Sequence, residues 1–353
     1  MKRLPRDPIR FDLINAFADF GRSEKISLNH PAAAEGFVER ARASIKRSLA
    51  NEAFLYGVRT ELMFESLVAS LGKVQILKSE DSGEIYVSDE SLKVPDFRLV
   101  LADGSQVLVE VKNFYQGEDA RRAFKLDGGY LGGLVRYSKT MNCDLLLAIY
   151  WSRWNIWTLV KPDLFKVENE ERTLDMLEAM KGNHMASIGD CSIGTRFPLS
   201  LVMHADKSKP RSIGADGNVQ FTISNVEAYC AGQLLTDPEE RRIAIYLMFY
   251  GKWDYETEPR IVENEIELVE HRWVPEVDHE QGFEIVGSLS EMFSTFYKFA
   301  TQEEGQVREL RLDISPGAWG SLVPEDYKGK ALPLWRFTLQ ALQPTDEATR
   351  ERS

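Results

Sequence analysis

The chain has 353 residues, 43% of them hydrophobic and 10% aromatic, which is enough for a sizeable core and, by length, for about two domains. Its formal net charge of −12 argues at first sight against a nucleic-acid partner, because phosphate binding normally needs a basic surface. No apolar run is long enough to cross a bilayer, and no apolar stretch follows the charged N-terminus, so we expect neither a transmembrane helix nor a signal peptide.

The charge is distributed unevenly along the chain. Residues 1–50 carry 10 Lys and Arg against 6 Asp and Glu, residues 51–165 carry 13 against 16, and residues 166–353 carry 20 against 33. The acidity therefore belongs to the C-terminal half. The charge therefore argues against nucleic acid only in the C-terminal half, which we expect to face a protein partner, a second subunit or solvent.

Cysteine and histidine spacing limits the kinds of site. Cys143, Cys191 and Cys230 lie far apart without a C-x-x-C pair, which argues against disulfides and favours a reducing, cytoplasmic location. The histidines show neither H-x-H nor H-E-x-x-H spacing, so we expect no zinc site.

Hydrophobic periodicity predicts the elements in chain order. The N-terminal half reads as a helix at 9–20, helices across 32–72 with a break near Gly57, strands at 73–78, 84–88, 95–101 and 106–112, a helix at 119–141, and strands at 145–151 and 155–160. The C-terminal half reads as a helix at 171–181, strands and loops over 183–235, a strand at 243–250, an extended charged stretch at 259–275, a helix at 289–304 and a frayed tail from 343.

These elements predict three parts. Residues 1–50 form a helical N-terminal extension, residues 51–165 an α/β core, and residues 166–353 an acidic, mixed α+β C-terminal domain. The boundary near 165 follows a change in the sequence pattern that begins at Pro162.

Residues 95–112 read as a β-hairpin with an Asp-Gly turn. A two-residue turn would place Phe97 opposite Glu110 and mix apolar and polar residues on both faces. A three-residue turn with Gly104 in the left-handed conformation pairs Phe97 with Val109 instead. We prefer this register because it collects the apolar side chains on one face.

The preferred register gathers three charged side chains on the polar face. Asp96 lies directly opposite Glu110, with Cβ atoms about 5 Å apart, and Lys112 follows two residues later. An opposed acidic pair destabilises a sheet, so a simple surface salt bridge explains it poorly. Two carboxylates can instead share Mg²⁺, which activates water and stabilises charge on a phosphate, while the lysine assists. The sequence therefore predicts phosphodiester hydrolysis.

Here the residues resemble a known family. Pro95-Asp96, then 13 residues, then Glu110-Val111-Lys112 is similar to the motif of the PD-(D/E)XK nuclease superfamily, which includes restriction endonucleases, Holliday-junction resolvases and repair nucleases. The motif alone is weak, and its strength comes from the hairpin, its register and the flanking elements. The resemblance covers roughly residues 55–160.

The resemblance implies a fold and a set of site residues. It implies an α/β, restriction-endonuclease-like core of helix, three-strand meander, helix and strand. It assigns Asp96 and Glu110 to the metal, which is Mg²⁺ with Mn²⁺ as a substitute, and makes Lys112 catalytic. Many members add a glutamate from the first helix, and two stand four apart here on neighbouring turns. We favour Glu61 as a third metal ligand and catalytic residue, because its spacing to the end of the helix resembles the resolvases, with Glu65 as the alternative helix acid.

The helix after the site often borders DNA in this superfamily, so its basic residues are candidates for binding nucleic acid. A solvated charged face is an equally good interpretation. The residues are Arg121, Arg122, Lys125, Arg136 and Lys139.

The sequence thus predicts a magnesium-dependent DNA endonuclease with no membrane association. Homodimerisation is plausible, because cutting both strands usually needs two sites. One alternative is a catalytically silent nuclease fold that acts as a binding or assembly subunit, and another is hydrolysis of RNA or branched DNA. All three motif positions are intact, which favours the enzyme.

Overall fold

The structure is a computed structural model that describes residues 13–81, 85–214, 217–312 and 323–341. The helices are α1 Ile14–Glu24, α2 Ala33–Leu49, α3 Glu52–Leu71, α4 Gly128–Met141, α5 Met176–Lys181, α6 Pro238–Tyr250 and α7 Leu289–Thr301. The strands are β1 Val74–Ser79, β2 Phe97–Leu101, β3 Gln106–Phe114, β4 Phe124–Asp127, β5 Asp144–Trp151, β6 Ile156–Val160, β7 Lys166–Glu168, β8 Glu171–Leu174, β9 Ser192–Thr195, β10 Leu199–Ala205, β11 Ser212–Ile213, β12 Val219–Gln220, β13 Ile223–Cys230, β14 Gln233–Leu234, β15 Asp254–Val262, β16 Glu265–Val274, β17 Glu284–Ser288, β18 Gln302–Glu303, β19 Gln306–Val307 and β20 Leu334–Phe337.

A five-stranded mixed sheet, in the order β1-β2-β3-β5-β6, organises the first half. β1, β2 and β3 form an antiparallel meander, β5 runs parallel to β3, and β6 returns antiparallel to β5. α3 covers one face with Phe64 and Leu67, while α4 covers the other with Leu131 and Leu134. The predicted mixed α/β class is confirmed.

The predicted hairpin register is also confirmed. Phe97 pairs with Val109 and Leu99 pairs with Val107. Gly104 has a φ of 84°, the left-handed conformation that the three-residue turn requires. All four paired side chains contribute to one core, three of them buried and Val107 partly buried, so the hydrophobic pattern sets which face meets α3.

The C-terminal half contains a second five-stranded sheet, in the order β14-β13-β10-β16-β15, and packs directly against the first half. α7 places Phe293 and Tyr297 in the same buried cluster as α3. β8 pairs antiparallel with β4, so strand pairing also crosses the predicted boundary near 165. We keep that boundary as a proposal.

The prediction of a strand at 243–250 is wrong, because these residues lie in α6. Asp237 caps the helix by accepting hydrogen bonds from the N–H groups of Glu239 and Glu240, and Pro238 occupies the first turn, where a missing N–H costs nothing. The run is apolar on almost every side, so periodicity alone could not distinguish a buried strand from a buried helix.

Capping residues explain three further differences from the predicted elements. The break within 32–72 falls at Asn51, whose side chain accepts from the Phe54 N–H, and not at Gly57. The helix expected over 119–141 begins at Gly128, after the cap Asp127, and the one expected over 171–181 begins at Met176, after the cap Asp175. The residues before these two caps pair with each other as β4 and β8.

Other predictions fall partly or wholly outside the described residues. Residues 85–88 are not in a strand, and position 84 lies outside the described part. The start of the helix expected at 9–20 and the tail from 343 lie outside it as well. Among the helices that are described, none has the length and apolar character needed to cross a membrane.

Asp190 precedes β9 and anchors the start of α7, which gives a test of the pH dependence of stability. Its carboxylate accepts hydrogen bonds from the Ser290 N–H at 3.0 Å and the Ser290 hydroxyl at 2.6 Å. Burial raises the pKa of Asp190 to about 6 from an ordinary value of 3.8. The folded state therefore binds the extra proton between about pH 4 and 6, and stability should fall as pH rises through that window.

We expect the Asp190→Asn variant to lose this pH dependence. The wild type should lose stability relative to the variant by up to about 3 kcal/mol between pH 4 and pH 7, with no further change above pH 7. Urea denaturation of both proteins across this range measures the difference. A difference in free energy of unfolding between the two proteins that stays constant with pH would contradict the prediction.

Candidate active site

The hairpin brings Asp96 beside Glu110. Asp96 immediately precedes β2, and its Oδ2 accepts a hydrogen bond of 2.6 Å from the N–H of Val111, the residue that follows Glu110 on β3. The side chain of Asp96 is therefore fixed against the strand that carries Glu110 and Lys112.

Glu110 is 1% exposed, and its two carboxylate oxygens have different surroundings. Oε1 accepts a hydrogen bond of 2.5 Å from the hydroxyl of Tyr130 and forms an ion pair with the Lys112 ammonium. Oε2 is buried and has no hydrogen-bond partner among the described residues. A buried carboxylate oxygen without a partner is costly, so this atom is suited to a cation.

The charges around the pair leave excess negative charge at the site. Burial and, next, the charge of Glu110 raise the pKa of Asp96 to about 7, although the Val111 N–H opposes the shift. Burial also raises the pKa of Glu61; the nearby Lys112 lowers it and Glu110 raises it. Asp96 and Glu61 thus resist ionisation at this site unless a cation offsets their charge.

The two candidate helix acids have different environments. Glu61 lies on the part of α3 that faces the site, close enough for its charge to raise the pKa of Asp96. Glu65 lies one turn further along α3 and pairs with Arg311, with 3.5 Å between Oε1 and Nη1. The structure therefore brings Glu61, and not Glu65, into the electrostatic environment of the pair.

Among the residues that the structure describes, no group of three or more His, Cys, Asp or Glu side chains is arranged to hold a metal ion. Mg²⁺ does not need three protein side chains, because it usually keeps several waters and binds one or two carboxylates together with substrate phosphates. Asp96 and the unpartnered Oε2 of Glu110 fit that requirement.

Tyr130 is a site residue that the sequence prediction did not identify. It is the third residue of α4, and its ring centroid lies 5.1 Å from the Lys112 ammonium. Burial, then the charge of Glu110, raises the pKa of its hydroxyl, so the phenol stays protonated and can donate. The sequence does contain a signal that could have identified it: a tyrosine in the first turn of the helix that follows Glu110-Val111-Lys112.

Glu80 belongs to a separate network. Its carboxylate binds Arg98 and accepts a hydrogen bond of 2.7 Å from the hydroxyl of Tyr137, which is also on α4. The hydrogen bonds from Arg98 and Tyr137 lower the pKa of Glu80 despite burial, which acts in the opposite direction. Both oxygens of Glu80 are therefore engaged, whereas Oε2 of Glu110 has no partner among the described residues.

The predicted basic face is divided between different elements. Arg121 and Arg122 lie in the loop before β4, and Lys125 lies on β4, so these three are not on the helix as predicted. Lys125 is ion-paired with Glu171 at 2.7 Å, and Arg136 donates to the Ser91 carbonyl at 2.9 Å. Lys139 lies exposed on α4.

Comparisons with known proteins leave the family unassigned. No protein-family model matches the chain, and no curated protein matches it. Among solved structures, the chain is similar to Hjc, a Holliday junction resolvase from the archaeal hyperthermophile Archaeoglobus fulgidus. The identity is 16%, the match covers 38% of this chain and 96% of the resolvase chain, and the TM-score is 0.27. This likeness is too distant to carry a functional argument, so function must be argued from the site itself.

Proposed function

We propose that the chain is a metal-dependent endonuclease of the PD-(D/E)XK type that hydrolyses phosphodiester bonds in DNA. The observation that carries this proposal is the buried, unpartnered Oε2 of Glu110 beside Asp96 and Lys112. A pair of carboxylates with a neighbouring ammonium is the arrangement that the resemblance in the sequence implies. The catalytic residues are Asp96, Glu110 and Lys112, with Glu61 contributing its charge.

Asp96 and Glu110 would hold Mg²⁺, or Mn²⁺ in its place. When bound, the cation lowers the pKa of a coordinated water and offsets charge on the phosphate. Lys112, whose side chain is 28% exposed, reaches from buried Glu110 towards solvent, where it can hydrogen-bond a phosphate oxygen or the attacking water. Its fixed positive charge stabilises the negative charge that develops during hydrolysis.

A cleavage assay tests the proposal. Purified protein is incubated with duplex, single-stranded and branched DNA, and with RNA, in Mg²⁺ and in EDTA. We expect cleavage of at least one DNA substrate in Mg²⁺ and none in EDTA. Equal cleavage in Mg²⁺ and in EDTA would contradict the proposed metal dependence. Binding without cleavage of any substrate would favour the silent binding subunit.

The basic loop before β4 provides a prediction about DNA binding. Arg121 and Arg122 are exposed, and among the described residues neither has an ion-pair partner. If each contacts a phosphate, the Arg121→Ala, Arg122→Ala double variant should reduce the salt slope of DNA affinity by about two. Fluorescence anisotropy in EDTA across a salt series measures this slope.

Lys125→Ala is the matched control for that experiment. Its ammonium is already paired with Glu171, so its removal should change the slope by less than half as much as either arginine. Equal slopes in the wild type and the double variant would show that the loop does not contact DNA.

The acidic half stays without an assigned partner, and both a second subunit and another protein are proposals. β15 is an edge strand of the second sheet, and its nine residues are all exposed. Exposed edges are pairing surfaces for other chains unless charge protects them. Sedimentation velocity over a range of concentrations distinguishes a monomer from a homodimer.

A further inference from the structure

The start of α4 is held in one place by its cap and by tight packing. The cap Asp127 accepts a hydrogen bond of 2.7 Å from the N–H of Tyr130. A Cβ on Gly128 would lie 2.4 Å from the Glu170 carbonyl oxygen, and one on Gly133 would lie 2.5 Å from Lys93. Neither position has space for a side chain, so the helix approaches its neighbours closely. The ring of Tyr130 is therefore presented from a fixed backbone.

The hydroxyl of Tyr130 distinguishes the two oxygens of Glu110. It donates to Oε1 at 2.5 Å, and the Lys112 ammonium binds the same oxygen. Oε1 is thereby occupied, whereas Oε2 is left buried without a partner. The free oxygen is the one available to a cation, and the tyrosine hydroxyl and the Lys112 ammonium together occupy the other.

The aromatic ring of Tyr130 also contacts the lysine. The Lys112 ammonium lies 5.1 Å from the ring centroid, within the range of a cation–π interaction. One side chain therefore restrains two opposite charges of the site: the Glu110 carboxylate through its hydroxyl and the Lys112 ammonium through its ring.

We propose that Tyr130 is a positioning residue that orients Glu110 towards the metal and holds Lys112 beside it. The proposal rests on the proposed nuclease function. Residues that orient a metal ligand typically contribute 10- to 100-fold to metal affinity or activity. Tyr130 acts through Glu110 and Lys112 and has no direct role in the reaction.

Tyr130→Phe tests this role, because it removes the hydroxyl and keeps the ring. We expect Mn²⁺ affinity, measured by electron paramagnetic resonance of the free ion, to fall by about 10-fold or more. We expect kcat for DNA cleavage to fall with it, while KM for DNA changes by less than about 3-fold, because the hydroxyl is bonded to Glu110.

Tyr137→Phe is the matched control. It removes a hydroxyl from the same helix, where the bond of 2.7 Å goes to Glu80 instead, and it should leave Mn²⁺ affinity unchanged. Equal affinities in wild type and Tyr130→Phe would overturn the positioning role and leave the nuclease proposal standing. An equal loss in both variants would also overturn it, since the effect would then be structural. A wild type that binds no Mn²⁺ would overturn the nuclease proposal and this role together.

Discussion

Replacing Glu110 with glutamine should abolish DNA cleavage while the protein remains folded. The loss should exceed about 100-fold, the upper end of the range for residues that only orient a metal ligand, because Glu110 is assigned as a ligand itself. The change keeps the shape of the side chain and removes its charge. Steady-state cleavage in Mg²⁺ gives the activity.

The stability of the same variant should change in a characteristic way. Glu110 is 1% exposed with one unpartnered oxygen, so the amide relieves a buried charge and the midpoint of thermal unfolding without metal should stay within a few degrees of wild type or rise. Mg²⁺ should raise the midpoint of the wild type, because it binds the folded state, and should leave that of the variant unchanged.

Glu80→Gln is the control for this experiment. Glu80 is also a largely buried carboxylate next to the sheet, but Arg98 and Tyr137 bind it. Its amide variant should retain cleavage and the stabilisation by Mg²⁺. Cleavage that survives in Glu110→Gln, or an equal loss in both variants, would contradict the site assignment.

Replacing Trp157 with alanine should lower the free energy of unfolding more than any of the other substitutions proposed. The indole is 2% exposed and packs against Phe64 and Tyr150, with ring centroids 5.4 and 4.8 Å away. Its Nε1 donates to the Ser294 hydroxyl at 2.9 Å. Removing a buried aromatic residue of this size typically costs about 3–5 kcal/mol, and the Ser294 hydroxyl keeps only its bond to the Ser290 carbonyl.

Urea denaturation measures the loss, and Trp154→Ala is its control. Trp154 is 45% exposed in the turn between β5 and β6, so its replacement should cost less than about 1 kcal/mol. Because Ser294 lies on α7, Trp157→Ala should destabilise both halves of the chain together. Two separate transitions, only one of which shifts, would show that α7 is not part of the same folding unit.

The sequence was sufficient where local pattern and tertiary structure agree. Alternation along β2 and β3 predicted the register that places Asp96 beside Glu110, because that register puts the apolar side chains at positions 97, 99, 107 and 109 together on one core face. The apolar run at 243–250 was insufficient, because α6 is buried on several sides and a strand would be equally apolar. There the capping residue Asp237, which the prediction did not use, carried the information.

Contacts between distant elements were beyond the reach of the sequence. Spacing within the helix favoured Glu61 over Glu65, but the sequence could not show that Arg311, far along the chain, pairs with Glu65. Tyr130 likewise reaches Glu110 only through the packing of α4 on the sheet. Both contacts join residues at least 20 positions apart, and no periodic pattern encodes them.

The most direct test of the central claim is a crystal soaked with Mn²⁺ and measured for anomalous scattering. The account predicts one strong peak with oxygen atoms of both Asp96 and Glu110 in its coordination sphere, Oε2 being the Glu110 ligand. A fully occupied Mn²⁺ bound elsewhere, or the absence of a peak between these two carboxylates at saturating Mn²⁺, would contradict the proposed metal site and the nuclease mechanism built on it.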